Sequence, residues 1–189
     1  FALDAGDLMS FALVQTDAGA HLLWNSHHAL LDGWSAHLLF EEALAEYEAL
    51  ARGTPFAPRA ARPFRDHLHW LAKQDGAAAR QWWGDHLASL DTATDLPLPV
   101  AAHGIAGGHE TVARTLGEAT SARVRSFARE QRLTLSSLAT AAWALLLSHY
   151  SGASDVVFGT TVSGREDGVP GVDGMVGLLI ATLPTRVRV

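Results

Sequence analysis

Cysteine is absent from the chain. Disulfides, thiolate metal sites and a cysteine nucleophile are therefore excluded, and a cytoplasmic location is the expectation. Basic charge is scarce: Lys and Arg number 14 against 20 Asp and Glu, a formal net charge of −6. No basic patch stands out, so no nucleic-acid partner is expected. Residues Phe1–Ala20 lack a basic start followed by a long apolar run and do not read as a signal peptide. The most apolar stretch, Leu133–Tyr150, contains Thr134, Ser136, Ser137, Thr140 and Ser148. It falls short of the roughly 20 apolar residues that a bilayer span needs, so a buried core helix is expected and no membrane partner. Internal repeats and low-complexity segments are also missing. What is present is a globular mixture, 48% hydrophobic and 18% charged, well away from disordered compositions. The length of 189 residues suffices for one large domain or two small lobes. The chain opens on Phe1 and stops at Val189 inside an expected strand, which reads as a fragment of something longer.

Strands and helices alternate along the chain. Met9–Thr16 and Ala20–His28 form an expected hairpin around the turn residues Asp17–Ala20. Ser35 is the candidate N-cap of a helix running to about Arg52, with Leu39, Ala43, Tyr47 and Leu50 on one face and Gly53 and Pro55 as stop signals. A proline-rich linker, Thr54–Pro63, leads to helices over Phe64–Lys73 and Ala77–Leu90. Their tryptophans Trp70, Trp82 and Trp83 read as core packing. Asp91–Gly108 is punctuated by glycine and proline without a clear period and is the candidate lobe boundary. A short strand is expected at Thr111–Leu116 and helices at Thr120–Arg132, with Val124, Phe127 and Ala128 inward, and at Leu135–Tyr150. Strands follow at Asp155–Val162 and Leu178–Val189. The class is α/β or α+β.

Ten histidines raise the question of a metal. His27 and His28 are adjacent, but successive side chains on a strand point to opposite faces, so the two do not share an ion easily. No HExxH or comparable spacing occurs, and no metal site is expected. Strand alternation instead divides labour. One imidazole faces a cavity while the other is held inside the protein. Asp32 follows four residues after His28, where a carboxylate either pairs with a cation and fixes the turn or holds an imidazole tautomer. Gly33 permits a tight turn and close backbone approach. An imidazole titrates near neutral pH and suits proton movement in acyl transfer, whose tetrahedral intermediate needs hydrogen-bond donors.

The segment Ser26–Ser35, SHHALLDGWS, resembles the HHxxxDG signature of the condensation-domain superfamily of nonribosomal peptide synthetases, which shares its fold with chloramphenicol acetyltransferase. Four other stretches agree in order. Phe64–Asp75, FRDHLHWLAKQD, is similar to the family's (Y/F)RDYxxWLxxQD helix, with His67 in place of tyrosine. Arg80–Leu90 is similar to the helix that follows. Leu133–Arg165 is similar to a helix-then-strand segment. Met175–Val187, MVGLLIATLPTRV, is similar to MVGLFxNTLPxRV, with Leu179 for Phe and Ala181 for Asn. The likeness covers nearly the whole chain, while a full domain is more than twice as long.

The resemblance implies a partial, two-lobed chloramphenicol acetyltransferase-like sandwich, residues 1–95 ending the first lobe and 96–189 beginning the second, with the active site in a tunnel between lobes. It implies that His28 is the catalytic histidine, as general base or as a group positioning the amine and stabilising the intermediate. His27 is its support. Asp32 pairs with an arginine from the other lobe, for which Arg165 is the candidate. Gly33 keeps the acyl channel clear and offers its N–H to an oxyanion, and Trp34 and Ser35 lead into the helix. The implied activity is amide-bond formation between acyl or peptidyl and aminoacyl thioesters on upstream and downstream peptidyl carrier proteins, beside an adenylation domain. No cofactor is bound, because the phosphopantetheine arms come with the carriers. The fragment alone is not expected to catalyse. Relatives with other chemistry remain open: an epimerization domain, although the chain reads DGWSAH rather than DGVSWR; a coenzyme A-dependent acyltransferase; and an inactive recruiting domain. A heterocyclization domain would carry two aspartates in DxxxxD in place of the histidines.

Overall fold

The computed structural model describes residues 3, 6–90, 93–96, 111–165 and 168–189. Two strands, β1 (Met9–Thr16) and β2 (Gly19–Ser26), open the chain, followed by helices α1 (Gly33–Arg52), α2 (Phe64–Leu71), α3 (Gly76–Leu87), α4 (Glu118–Glu130) and α5 (Leu135–Ser151), strand β3 (Asp155–Val162), a single 3₁₀ turn (Val172–Gly174) and strand β4 (Ala181–Arg188). This is the mixed α and β content that the alternating patterns predict. Two two-stranded sheets result, β1 with β2 and β3 with β4. The chain divides into two compact units, one of residues 1–79 and 161–183, the other of 80–160 and 184–189. Among the described residues no helix is long and apolar enough to cross a membrane.

In the first unit β1 and β2 pair antiparallel from Met9 opposite Ser26 to Thr16 opposite Gly19. Phe11 therefore faces Trp24, and their rings stack at 5.8 Å. Trp24 also meets Phe40 of α1 at 4.8 Å, which fixes the hairpin on the helix. The second strand ends at Ser26, two residues earlier than the sequence pattern indicates. Leu30 N–H then donates to the His27 carbonyl at 3.0 Å, closing a turn over 27–30. The α1 N-cap is Asp32, not Ser35: the Asp32 carboxylate accepts from Ser35 N–H at 2.8 Å. Gly53, left-handed with φ 66°, ends the helix as its position predicts. The expected apolar face of α1 is not its packed face. Tyr47 and Leu50 are exposed, while Ser35 and Leu38 are buried, because the helix is fastened by its first turns.

The core of this unit is Val169, Val172, Met175 and Leu179, with Phe64 and Trp70 of α2 packed against it. Full burial of Met175 and Leu179 contributes about 1.5–3 kcal/mol each. Two glycines make that packing possible. A Cβ on Gly168 would lie 2.5 Å from the Trp70 ring and one on Gly177 2.4 Å from the Phe64 ring. A third, Gly164, has φ 65° and passes so near the Leu179 carbonyl that no side chain fits. Between Phe64 and Trp70 stands His67, stacked at 5.8 and 5.9 Å at the i+3 spacing of a helix face.

The second unit is built on α5, capped by Thr134, which accepts from Ser137 N–H, and closed by left-handed Gly152. Ala144 and Leu147 pack on Val156 of β3, with Phe158 and Val187 beside them. Only one face of α5 is buried, since Trp143, Leu145 and Tyr150 are exposed. Phe127, expected inward on α4, is half exposed beside an open groove of about 920 Å³ that Val124, Leu135 and Leu138 also line. Trp82 is likewise exposed rather than in the core and stacks on His86 at 4.8 Å. Arg186 of β4 donates through Nε to Asp155 at 2.9 Å and through Nη1 to the His86 carbonyl at 2.6 Å, tying strand to helix. That bond draws the Asp155 carboxyl below the usual carboxylate range. Residues 111–117 hold no strand, because no neighbouring strand takes up their backbone groups among the described residues. Strand β4 begins at Ala181 rather than Leu178, since Leu179 N–H is drawn to Asp32 instead of a ladder. The expected lobe boundary at Asp91–Gly108 lies outside the described residues except for 93–96.

Candidate active site

The chemistry-bearing residues of the HHxxxDG segment all lie in the first unit. Strand β2 delivers them, the 27–30 turn redirects the chain, and the first turn of α1 receives it. His27 N–H donates to the Leu8 carbonyl at 2.8 Å, which prolongs the hairpin by one residue. Its Nδ1 accepts from Ala29 N–H at 3.1 Å, so this imidazole holds the turn and is half buried. His28 is exposed on the same turn. The division between a held and a presented imidazole thus rests on the turn, not on strand alternation, because the strand has already ended. Among the described residues no cluster of His, Asp and Glu could hold a metal ion.

Asp32 is 1% exposed and faces three sets of donors. Its Oδ1 accepts from Ser35 N–H at 2.8 Å and from Arg165 Nη2 at 3.0 Å. Its Oδ2 accepts from Leu179 N–H at 3.0 Å and from the same Nη2 at 3.2 Å. Burial pushes the carboxyl up, but the backbone donors Ser35 and Leu179, with Arg165, outweigh it and hold it at about 2. With its lone pairs so occupied, Asp32 has none to spare for an imidazole. Of the two roles open to it in the sequence, pairing with a cation is the one realised.

Arg165 is 8% exposed and spreads its guanidinium across the unit. Nη1 donates to the carbonyls of Val172 and Met175, each at 2.9 Å, while Nη2 reaches Asp32 and, at 2.8 Å, the Ser35 hydroxyl. Trp34 lies 5.7 Å from the guanidinium, and its indole N–H donates to the Asp173 carbonyl at 2.9 Å. The structure therefore brings Asp32, Trp34, Ser35 and Arg165 into one assembly, with His27, His28 and Gly33 on the chain segment it anchors.

Gly33 shows why a glycine there is not a demand of the fold. Its φ lies outside the left-handed region, and a Cβ on it meets nothing within 4 Å. Any side chain there would project into open space. As the first residue of α1, its N–H has no partner inside the helix. Nearby, a groove of about 450 Å³ runs along β2 and α1, lined by Leu22, Leu23, Trp24, Ser26, Ala36 and Phe40.

Sequence reasoning names Ser35 as a supporting residue but as a helix cap, whereas it is a buried hydroxyl bound to Gly177; it misses Leu179, which contributes its backbone N–H rather than its side chain. Both bonds span more than 140 residues, so no local pattern announces them; the glycine of MVGL was the available signal.

The family model described as Condensation domain matches residues 1–189. Chondramide synthase cmdD of Chondromyces crocatus is 40% identical over 190 residues, covering 99% of this chain and 5% of that protein. Among solved structures, the first condensation domain of the CDA synthetase superposes with a TM-score of 0.70 at 25% identity, covering 96% of this chain and 41% of that one. The epimerization domain from the third module of tyrocidine synthetase B superposes with a TM-score of 0.79 at 24% identity, covering 97% and 44%, which shows a shared fold. The chain thus spans less than half the length of each of these.

Proposed function

Because this chain belongs to the condensation-domain family, we propose that it is part of an acyltransferase that forms amide bonds in nonribosomal peptide synthesis. The amine of a carrier-bound aminoacyl thioester attacks the carbonyl carbon of a donor acyl or peptidyl thioester. The C–N bond forms, the C–S bond breaks, and the proton lost by the amine leaves with the thiol. His28 stands at the amine, as general base or as the group that positions it. His27 holds the turn, and Asp32 with Arg165 anchors it. Gly33 leaves room for the acyl group and offers its N–H to the developing oxyanion.

One observation carries this reading. His28 is exposed on a turn that His27 holds through its ring, and the nearby Asp32 is committed to Ser35, Leu179 and Arg165, which leaves His28 as the group there available to move a proton. The partners are upstream and downstream peptidyl carrier proteins, whose phosphopantetheine arms bring the substrates, and a neighbouring adenylation domain. Resemblance in motif order supports residues 1–95 as the end of one lobe and 96–189 as the start of the next. A cytoplasmic setting fits the cysteine-free sequence.

The test is condensation by the full-length protein with loaded carriers, wild type against His28→Ala. Loss of amide product by about 100-fold or more is expected. An unchanged rate overturns the role of His28. Exchange of the α-proton with solvent, without amide formation, would identify an epimerization domain instead.

A further inference from the structure

The geometry points to Ser35 as a positioning residue of this site, one that sets the catalytic turn against the backbone at Gly177–Leu179; the inference rests on the condensation reading above. Ser35 is 0% exposed. Its hydroxyl donates to the Gly177 carbonyl at 2.7 Å and accepts from Gly177 N–H at 3.0 Å and from Arg165 Nη2 at 2.8 Å. A hydroxyl has one proton and two acceptor positions, so all of its capacity is used. One side chain thus binds both backbone groups of a residue 142 positions away. Helix capping does not require this, since the Asp32 carboxylate already serves as the cap.

The bonds of Ser35 and Asp32 form a two-point attachment. Asp32 accepts from Leu179 N–H and donates its own N–H to the Gly177 carbonyl at 3.3 Å, while the Ser35 hydroxyl binds both the N–H and the carbonyl of Gly177 at 3.0 and 2.7 Å. The N-cap and the first turn of α1 are thereby registered on residues 177 and 179 of one segment. That segment cannot slide away on its far side, because Phe64 stands there at a distance that excludes even a Cβ on Gly177. Arg165 bridges the two attachment points through a single nitrogen, Nη2. Deleting the Ser35 oxygen would orphan the Gly177 N–H and one Arg165 N–H, and would leave the Gly177 carbonyl with only the longer bond from Asp32 N–H at 3.3 Å, so that Asp32 alone would tie the two segments. His28 lies four residues before Asp32 on the same short segment, so slack at position 35 reaches the reacting groups as misplacement. It acts on the rate of the bound complex more than on carrier binding.

The experiment measures condensation by the full-length protein under saturating and sub-saturating acceptor carrier, for wild type, His28→Ala, Ser35→Ala, Ser35→Thr and Leu38→Ala. Leu38 is buried on the same helix but has no part in the polar assembly, so it reports simple destabilisation. Ser35→Ala is expected to lower kcat about 100-fold with KM changed less than about threefold, Ser35→Thr to recover to within about fivefold of wild type, and Leu38→Ala to keep its kcat below its melting temperature. Should Ser35→Ala fail to fold, the threonine variant decides: folded and fast supports the assignment, folded and as slow as His28→Ala overturns it. Equal loss of kcat in Leu38→Ala, or a Ser35→Ala effect confined to KM, also overturns it. If His28→Ala is slow while Ser35→Ala runs at the wild-type rate, only the role of Ser35 falls. If His28→Ala matches wild type, the condensation reading itself falls.

Discussion

Asp32 and Arg165, 133 residues apart in the chain, meet through one guanidinium nitrogen that lies 3.0 Å from one carboxylate oxygen and 3.2 Å from the other. Both side chains are almost wholly buried. Replacing two charges by apolar groups of equal shape often costs little, but removing one of them leaves the other buried and uncompensated. Asp32→Ala is therefore expected to destabilise the full-length protein by about 3–5 kcal/mol, measured by urea unfolding followed through tryptophan fluorescence. A loss below about 1 kcal/mol, the range of exposed pairs, would contradict the structural role assigned to the pair.

The same carboxylate makes stability depend on acidity. Its folded value of about 2 lies below the ordinary 3.8. A depressed carboxyl contributes stability that is complete above the unfolded value and disappears as pH falls through the folded one. The contribution is about 2 kcal/mol, present above roughly pH 4 and lost towards pH 2. Asp32→Asn removes that titration, so the difference in unfolding free energy between wild type and variant should shrink across this window. A difference that stays constant from pH 5 to pH 2 would refute it.

Gly33→Ala separates folding from function. The backbone at this position suits any residue and the space around a Cβ is open, so the variant gains a few tenths to about 1 kcal/mol from a less flexible unfolded chain. Condensation should fall at least about tenfold, because the methyl group enters the space assigned to the acyl group. A variant with normal activity would show that this space is not used.

Much of this arrangement is legible in the sequence, and the losses have physical reasons. Hairpin, helix and strand locations follow from apolar period and stop signals such as Gly53 and Gly152. The choice between Asp32 and Ser35 as cap did not follow, since both residue types cap helices and stand three apart. The choice was made by Gly177 and Arg165, far along the chain. Strand β2 also ends earlier than its apolar pattern indicates, because His27 N–H continues the pairing for one residue while its carbonyl already serves a turn. Arg165 emerged only through resemblance, as nothing local marks one arginine as buried.

Two glycines give a test of the packing around that arginine. Gly177→Ala and Gly168→Ala each force a methyl group into an aromatic ring of α2. Overpacking of this kind costs about 1–3 kcal/mol, readable as a lowered melting temperature. Phe64→Leu should restore part of the loss in Gly177→Ala but none in Gly168→Ala, where Trp70 is the obstacle. Rescue of both by either change would show that the two contacts are not distinct.

Each compact unit draws on two separated stretches of chain, residues 1–79 with 161–183 and residues 80–160 with 184–189. A single cut between them in sequence therefore yields no self-sufficient half. A piece ending at 96 carries Phe64 and Trp70 without Met175 and Leu179, and a piece starting at 111 carries Arg186 without His86 and Ser89. Split versions of this protein should consequently recover structure only when both pieces are produced together, which makes the chain suited to reconstitution assays in which assembly itself is the signal.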